Sequence, residues 1–339
     1  MLAIEPYASQ EIIELLQNNV IGTPGESMLY QLKTTPQKLK SIGKHYFVSL
    51  KRKDNVIGTA CLCQREINIT GKAKPAFYIR YFTFNEKYRR KGGENSQWQP
   101  KGRIKEEIYR LLEGQHIMDS NDAIFYAYVD PKNERSARIC KGFGFQTVSS
   151  FVTYVFSRLF PKLSPQVSKL PFQDVIKFPE FRAYYNSLDF FFPEYISEFY
   201  IIQQEGELIA CAHARKDNWK ILSLPGKSGK LLLTVLPKIP LLNRLFSKDY
   251  HFIGLDATFC KTGHEKALET LISHILADLN MHSALIPVAT EGKLNQQLKK
   301  TKLGLLAKFS KNKQISLIAK NLSNSSRKPD FFISSFDIT

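Results

Sequence analysis

The chain has 339 residues, 43% of them apolar, with 24 Phe and 15 Tyr. That is enough for two packed cores and too apolar for a disordered chain. No run reaches the ~18 uninterrupted apolar residues of a membrane-spanning helix, since the nearest, LLLTVLPKIPLLNRLF, is broken by Pro237, Lys238 and Pro240. The net charge of +17 is spread over both halves, which predicts anionic ligands without singling out nucleic acid.

The first predicted element lies in PYASQEIIELLQNNV, where Ile12, Ile13, Leu15 and Leu16 recur at helical spacing behind Ser9 as N-cap. HYFVSLKRKDNVIGTACLC reads as strand, charged turn at Lys51–Asn55, and strand. Cys61 and Cys63 share one face of that second strand and do not pair comfortably. Five scattered cysteines and an N-terminus with Glu5 where a signal peptide needs cations predict a reduced, cytoplasmic protein without disulfides. AFYIRYFTF (76–84) is an aromatic strand. RIKEEIYRLLEG (103–114) places Ile104, Ile108, Leu111 and Leu112 on one helical face and ends at Gly114. AIFYAYVD (123–130) is a strand with Tyr126 and Tyr128 on one face. NERSARICKGFGF opens a helix at Asn133 and stops at glycines, and TVSSFVTYVFSRLF returns to strand.

Between the aromatic strand and its helix stands EKYRRKGGEN. Arg89, Arg90 and Lys91 run into Gly92 and Gly93. Such a loop is either a solvated turn or a phosphate cradle. Its position before a helix N-terminus favours the cradle. Free backbone N–H groups and the helix dipole attract an anion, glycines allow close approach, and arginines add charge-assisted bonds.

The order of elements, with FTFNEKYRRKGG (82–93) and NERSARICKGFGF (133–145), resembles the GNAT superfamily of acyl-CoA-dependent acyltransferases over residues 1–160. The resemblance implies that Phe82, Thr83 and Phe84 offer strand backbone to the pantetheine. It implies that Arg89, Arg90, Lys91, Gly92 and Gly93 hold the pyrophosphate and that Asn133 contacts the CoA arm. Two positions depart from the pattern. Glu94 replaces a loop glycine, and ENSQWQPKG then delays the helix. Cys140 stands where many members carry a tyrosine that protonates the leaving thiolate. Cys140 or Tyr128 is the candidate acid, and no base is assigned, although Glu86 is close in sequence.

The second half repeats the pattern. EFYIIQQEGELIACAHA (198–214), YHFIGLDATFC (250–260), GHEKALETLISHILADL (263–279), SALIPVAT (283–290) and LNQQLKKTKLGLLAKF follow the order of the first half, and Gly304 lies 160 positions after Gly144. The expected fold is α/β, layered, with two GNAT-like domains at 1–162 and 163–339. Each has a mixed, mostly antiparallel sheet flanked by helices, and LSPQVSKLP (163–171) links them. The second cradle is poorer. It keeps only Lys261 and Gly263, and Thr262 with Glu265 forms a capping-box pattern that would satisfy the helix's own donors. One CoA site is therefore expected, in the first half.

Gly226–Lys227–Ser228 ends like a P-loop, but Ile221 occupies the place of its first glycine. Cys260, His264 and His274 lack a second close pair for structural zinc, so no metal is expected. The expected function is transfer of an acetyl or other short acyl group from CoA to an amine, with acetyl-CoA as cosubstrate and no membrane partner. The alternatives are a non-catalytic CoA-binding module and, last, a nucleic-acid-binding protein.

Overall fold

The computed structural model describes residues 1–53, 55–69, 72–85, 102–115, 117, 123–185, 196–226, 229–310, 312–321 and 332–338. The first half runs β1 (Leu2–Glu5), α1 (Gln10–Gln17), β2 (Leu29–Leu32), α2 (Thr35–Ser41), β3 (His45–Arg52), β4 (Asn55–Ile69), β5 (Lys72–Phe84), α3 (Arg103–Leu112), β6 (Ile124–Val129), α4 (Glu134–Gly142) and β7 (Gln146–Ser157). The second runs β8 (Val167–Pro171), α5 (Phe172–Val175), α6 (Pro179–Tyr185), β9 (Glu198–Gln204), β10 (Glu207–Ser223), α7 (Gly229–Thr234), β11 (Asp249–Cys260), α8 (Glu265–Asp278), β12 (Ser283–Ala289), α9 (Lys293–Lys300), β13 (Gln314–Lys320) and α10 (Ser335–Ile338).

The local signals hold where they have a mechanism. Ser9 accepts from Ile12 N, and the one-turn pair Ile12 and Leu16 is buried behind it. Asn133 Oδ1 accepts from Ser136 N at 3.1 Å and starts α4. On α8, Leu271, Ile272 and Ile275 are fully buried against Ile253, Leu255 and Ile286 of the sheet, and Ala267 packs at the edge of that core. Two readings fail. Val167–Pro171, inside the expected linker, is edge strand β8, paired with β9 from Val167↔Ile202 to Pro171↔Glu198. The capping box at Thr262 does not form, because the N-cap of α8 is His264, two residues later, and it makes no side-chain cap.

The two expected sheets are continuous. Thirteen strands form one mostly antiparallel sheet in the order β1-β3-β4-β5-β6-β13-β7-β12-β11-β10-β9-β8, with β2 on the far end of β10. The order is symmetric about the β13–β7 pair. The last strand of the first half, β7, adds to β12 (Phe156↔Ala284), and the last strand of the second, β13, adds to β6 (Leu317↔Tyr128). Exchange of terminal strands removes two sheet edges and joins the cores.

Each half contains the same irregularity. In β5, Tyr81 (φ 56°) and Phe82 stand opposite the single residue Ala60, between Thr59↔Thr83 and Cys61↔Arg80. In β11, Ala257 (φ 47°) and Thr258 stand opposite Ala212, between Cys211↔Phe259 and His213↔Asp256. A two-for-one bulge bends a strand and increases its twist. In both halves the bulged strand then leaves its parallel neighbour. β5 pairs β6 only from Ala76↔Ile124 to Tyr78↔Tyr126, and β11 pairs β12 only at Ile253↔Ala284 and Gly254↔Leu285.

Gly144 and Gly304 both adopt left-handed backbone (φ 86° and 97°) after their helices, as the repeat implies. They differ in surroundings. A Cβ on Gly304 would stand 2.0 Å from the Ser157 carbonyl oxygen, whereas one on Gly144 meets nothing within 4 Å. Gly144→Ala should cost roughly 1–2 kcal/mol for the left-handed backbone alone. Gly304→Ala adds a steric cost of roughly 1–3 kcal/mol. Urea denaturation of the two variants checks this, and equal midpoints would remove the steric argument.

Candidate active site

Where β5 and β6 part, a cavity of about 680 Å³ opens, within the roughly 300–1,000 Å³ of a small-molecule site. It reaches both sheet faces through the gap. On one face it is walled by Ile108, Leu111 and Leu112 of α3 and Ile139 and Phe143 of α4. On the other it is walled by Tyr30, Trp219 and Phe151. Most of the wall is aliphatic or aromatic. Polar groups gather at the splay and rim, among them Arg80, Tyr128, Asp130, Asn133, Lys313 and Asp337.

The predicted residues divide by place. Phe82 and Phe84 line this cavity, with their rings edge to face at 5.2 Å. Thr83 is buried and its hydroxyl donates to Asn19 Oδ1 at 2.7 Å, so the strand after the bulge is anchored from behind. Asn133, Cys140 and Tyr128 all line the cavity. Burial pushes the Cys140 thiol up to about 11, so it stays protonated across neutral pH. Tyr128 packs on Tyr78 at 4.9 Å and on Phe151 at 4.8 Å. Arg89, Arg90, Lys91, Gly92, Gly93 and Glu94 lie outside the described residues.

A buried ionic network beside the cavity escaped the sequence reading. Asp217 is fully buried, and its carboxylate meets Lys38 Nζ at 2.6 Å, Arg215 Nη1 at 2.9 Å and the Thr34 hydroxyl at 2.8 Å. Burial lowers the Lys38 ammonium well below its ordinary range, against the pull of Asp217. Asp337, on α10, lies 3.6 Å from both Arg65 and Arg80. Burial raises its pKa, opposed by those two arginines. The Tyr78 hydroxyl donates to the Asp337 carbonyl at 2.9 Å, and Ser335 Oγ donates to Asp256 at 2.9 Å. Phe336 sits under two guanidinium groups, Arg80 at 4.7 Å and Arg215 at 4.8 Å. These bonds hold α10 across both halves, at the splay. Arg80 was visible as a lone cation in AFYIRYFTF, but nothing in SSFDIT points to a partner 257 positions earlier.

The second half has its own cleft where β11 and β12 part, about 700 Å³ and lined by Ser149, Ser150, Thr258, Glu291, Lys293 and Gln314 among others. The one cation of its short loop, Lys261, is ion-paired with Glu207. Among the described residues no group of three or more His, Cys, Asp or Glu is placed to hold a metal.

Neither a protein-family model nor a curated protein sequence matches the chain. Solved structures do. The chain is similar to Saccharomyces cerevisiae N-myristoyltransferase with bound myristoyl-CoA, at TM-score 0.57 and 14% identity over 94% of this chain and 82% of that one. A second structure of that enzyme with myristoyl-CoA gives TM-score 0.57 and 13% identity over 99% and 83%. At such identity the likeness shows the fold alone, one shared with N-myristoyltransferase: a mixed α/β chain built on a large, mostly antiparallel sheet flanked by helices.

Proposed function

We propose that the chain is a CoA-dependent acyltransferase that moves an acyl group from a thioester to an amine by direct attack. The observation that carries this reading is the cavity at the parting of β5 and β6, with the main chain of Phe82–Phe84 on one side and the Asn133-capped start of α4 on the other. The loop with Arg89, Arg90, Lys91, Gly92 and Gly93 connects this strand to α3 and supplies charge for the pyrophosphate. Strand amides freed by the bulge would hold the pantetheine and polarise the thioester carbonyl.

Attack by a neutral amine expels the CoA thiolate, which then takes a proton. Cys140 and Tyr128 line the cavity and either can supply it; burial keeps the Cys140 thiol protonated at neutral pH. The amine must first lose its own proton. Two carboxylates line the cavity, Asp130 and Asp337. Asp130 is paired with Lys313 and Asp337 with Arg65 and Arg80, but Asp337 is buried, and burial raises its pKa against the two arginines. Asp337 is therefore the better base.

We read the acyl group as longer than the acetyl or other short acyl group expected from sequence. An acetyl group has the bulk of two or three waters, roughly 30 Å³ each, so beside the pantetheine arm the largely apolar cavity of about 680 Å³ leaves room for a longer chain. The similarity to an enzyme crystallised with myristoyl-CoA points the same way. The chain is read as two GNAT-like units, 1–162 and 163–339, with the donor in the first and the cleft of the second facing the acceptor.

Calorimetric titration with an acyl-CoA, followed by assay of free thiol against peptides with free N-termini, tests this reading. One site per chain is expected. Arg90→Glu should raise the dissociation constant at least tenfold, as loss of one charged hydrogen bond costs about 1.5–3 kcal/mol. Asp337→Asn should keep the stoichiometry and lose turnover, and a urea midpoint separates this loss from the stability cost of leaving Arg65 and Arg80 without their counterion. Two equal sites would show that the halves are equivalent. Binding without turnover against every acceptor would support the non-catalytic module instead.

A further inference from the structure

Two stretches of the chain are free of acidic residues. Residues 218–248 contain Lys220, Lys227, Lys230, Lys238, Arg244 and Lys248 and no Asp or Glu, and residues 292–329 contain ten Lys and Arg and no Asp or Glu. The fold brings residues 236–248 of the first and 306–310 of the second together. Short 3-10 turns at Leu236–Lys238 and Leu242–Arg244 follow α7, and a third at Leu306–Lys308 follows α9. Phe246 meets Phe309 edge-on at 5.6 Å. Arg244 lies 5.7 Å from the ring of Phe160 and donates to the Leu159 carbonyl at 3.3 Å.

This face is apolar as well as basic. Of the eleven large hydrophobic residues exposed among the described ones, five belong to it: Phe160, Val235, Ile239, Leu241 and Phe309, each 40–61% exposed. Lys238, Arg244, Lys248, Lys302 and Lys308 are exposed among them. A monomer rarely leaves such a cluster in water without use. The face also borders the cavity, because Ser310 and Lys313 line its wall, and Leu306 packs with Trp219.

We propose that this face docks on an anionic lipid bilayer, with its aliphatic and aromatic side chains entering the headgroup boundary and its cations facing lipid phosphates. The mix of residues selects this partner. Phosphate-bearing polymers reward cations and stacking aromatics and gain nothing from Val235, Ile239 or Leu241. Exposed aliphatic residues interleaved with lysine and arginine match an anionic interface on both counts. The lack of a spanning run, which underlay the expectation of no membrane partner, does not bear on a surface that only rests on the bilayer. The inference goes beyond the acyl-transfer reading and does not require it. If both hold, the cavity mouth sits beside the lipid.

Co-sedimentation of the full chain with phosphatidylcholine vesicles, with and without phosphatidylserine, tests the proposal without any turnover. Binding is expected only with phosphatidylserine, and it should fall as salt rises. Each basic residue near an anionic surface contributes roughly a fivefold factor, so Lys238→Glu with Lys308→Glu should lower partitioning by roughly 25-fold or more. Leu241→Ser with Phe309→Ser should lower it several-fold at unchanged charge. All four side chains are exposed, and only Phe309 gives up a packing contact, its edge on Phe246, so thermal melting should move by no more than a few degrees. Equal binding to neutral vesicles, or none to either, overturns the proposal. So does capture of duplex DNA or an acidic peptide that the lysine pair abolishes and the Leu241–Phe309 pair leaves intact, without vesicle binding.

Discussion

A long-chain acyl-CoA is expected to bind about a thousandfold more tightly than acetyl-CoA. The CoA portion is common to both, so the difference lies in the chain and in a largely apolar cavity of about 680 Å³. Burial of each methylene is worth ~0.8 kcal/mol, so a chain with twelve more methylenes has a gross advantage near 10 kcal/mol. Ordering of the chain and imperfect fit oppose this. If they cancel more than half, about 4 kcal/mol remains, which corresponds to about three decades in dissociation constant. Titration across a ladder of saturated acyl-CoA thioesters would show affinity rising with length to a plateau where the cavity is full. Ile139→Trp, on the α4 wall of that cavity, should erase the preference and leave acetyl-CoA binding in place. An affinity indifferent to chain length would return the donor to acetyl-CoA.

Asp217→Asn is expected to destabilise the protein by roughly 3–5 kcal/mol, because it leaves buried cations without their counterion. Lys38 is 3% exposed and Asp217 not at all, so solvent cannot replace the lost charge. The pair spans α2 of the first half and β10 of the second, so the loss also loosens the joint between them. Removal of Lys38 and Asp217 together, Lys38→Met with Asp217→Leu, should recover part of the stability, because a buried ion pair stabilises little over apolar residues of similar size, while Arg215, 20% exposed, still loses its counterion. Urea midpoints of the single and double variants decide it. A single variant as stable as the parent would mean that water reaches the site.

The sequence carried local information well. Helical spacing in EIIELL, the Asn133 cap and the aromatic strand at 76–84 each rest on forces within a few residues, and each appears at its place. The order of elements and the two motifs were enough to place the fold and one wall of the cavity, with Phe82, Phe84, Asn133, Cys140 and Tyr128 all lining it. The acyl length was not legible, because cavity volume depends on how α3, α4 and the sheet stand apart, and no single position encodes that. Short edge strands such as β8 were also missed, since five residues with a terminal proline read as linker until a neighbour pairs with them.

What the sequence offered by itself is a likeness between its halves: strand, strand, helix, strand and helix follow in the same order, with a glycine after the last helix of each. What only the tertiary structure decided is how the halves join. β7 reads as a strand in TVSSFVTYVFSRLF, and β13 is a strand only in the structure; nothing in either stretch says which half it serves. They cross to the opposite half because that pairing leaves no open edge in the middle of the sheet and buries both strands between Phe125 and Val288. The same crossing brings Asp337 to Arg65 and Arg80, and Asp217 to Lys38. Charges so far apart in sequence find each other only after the chain has folded, when burial makes an unpaired charge costly.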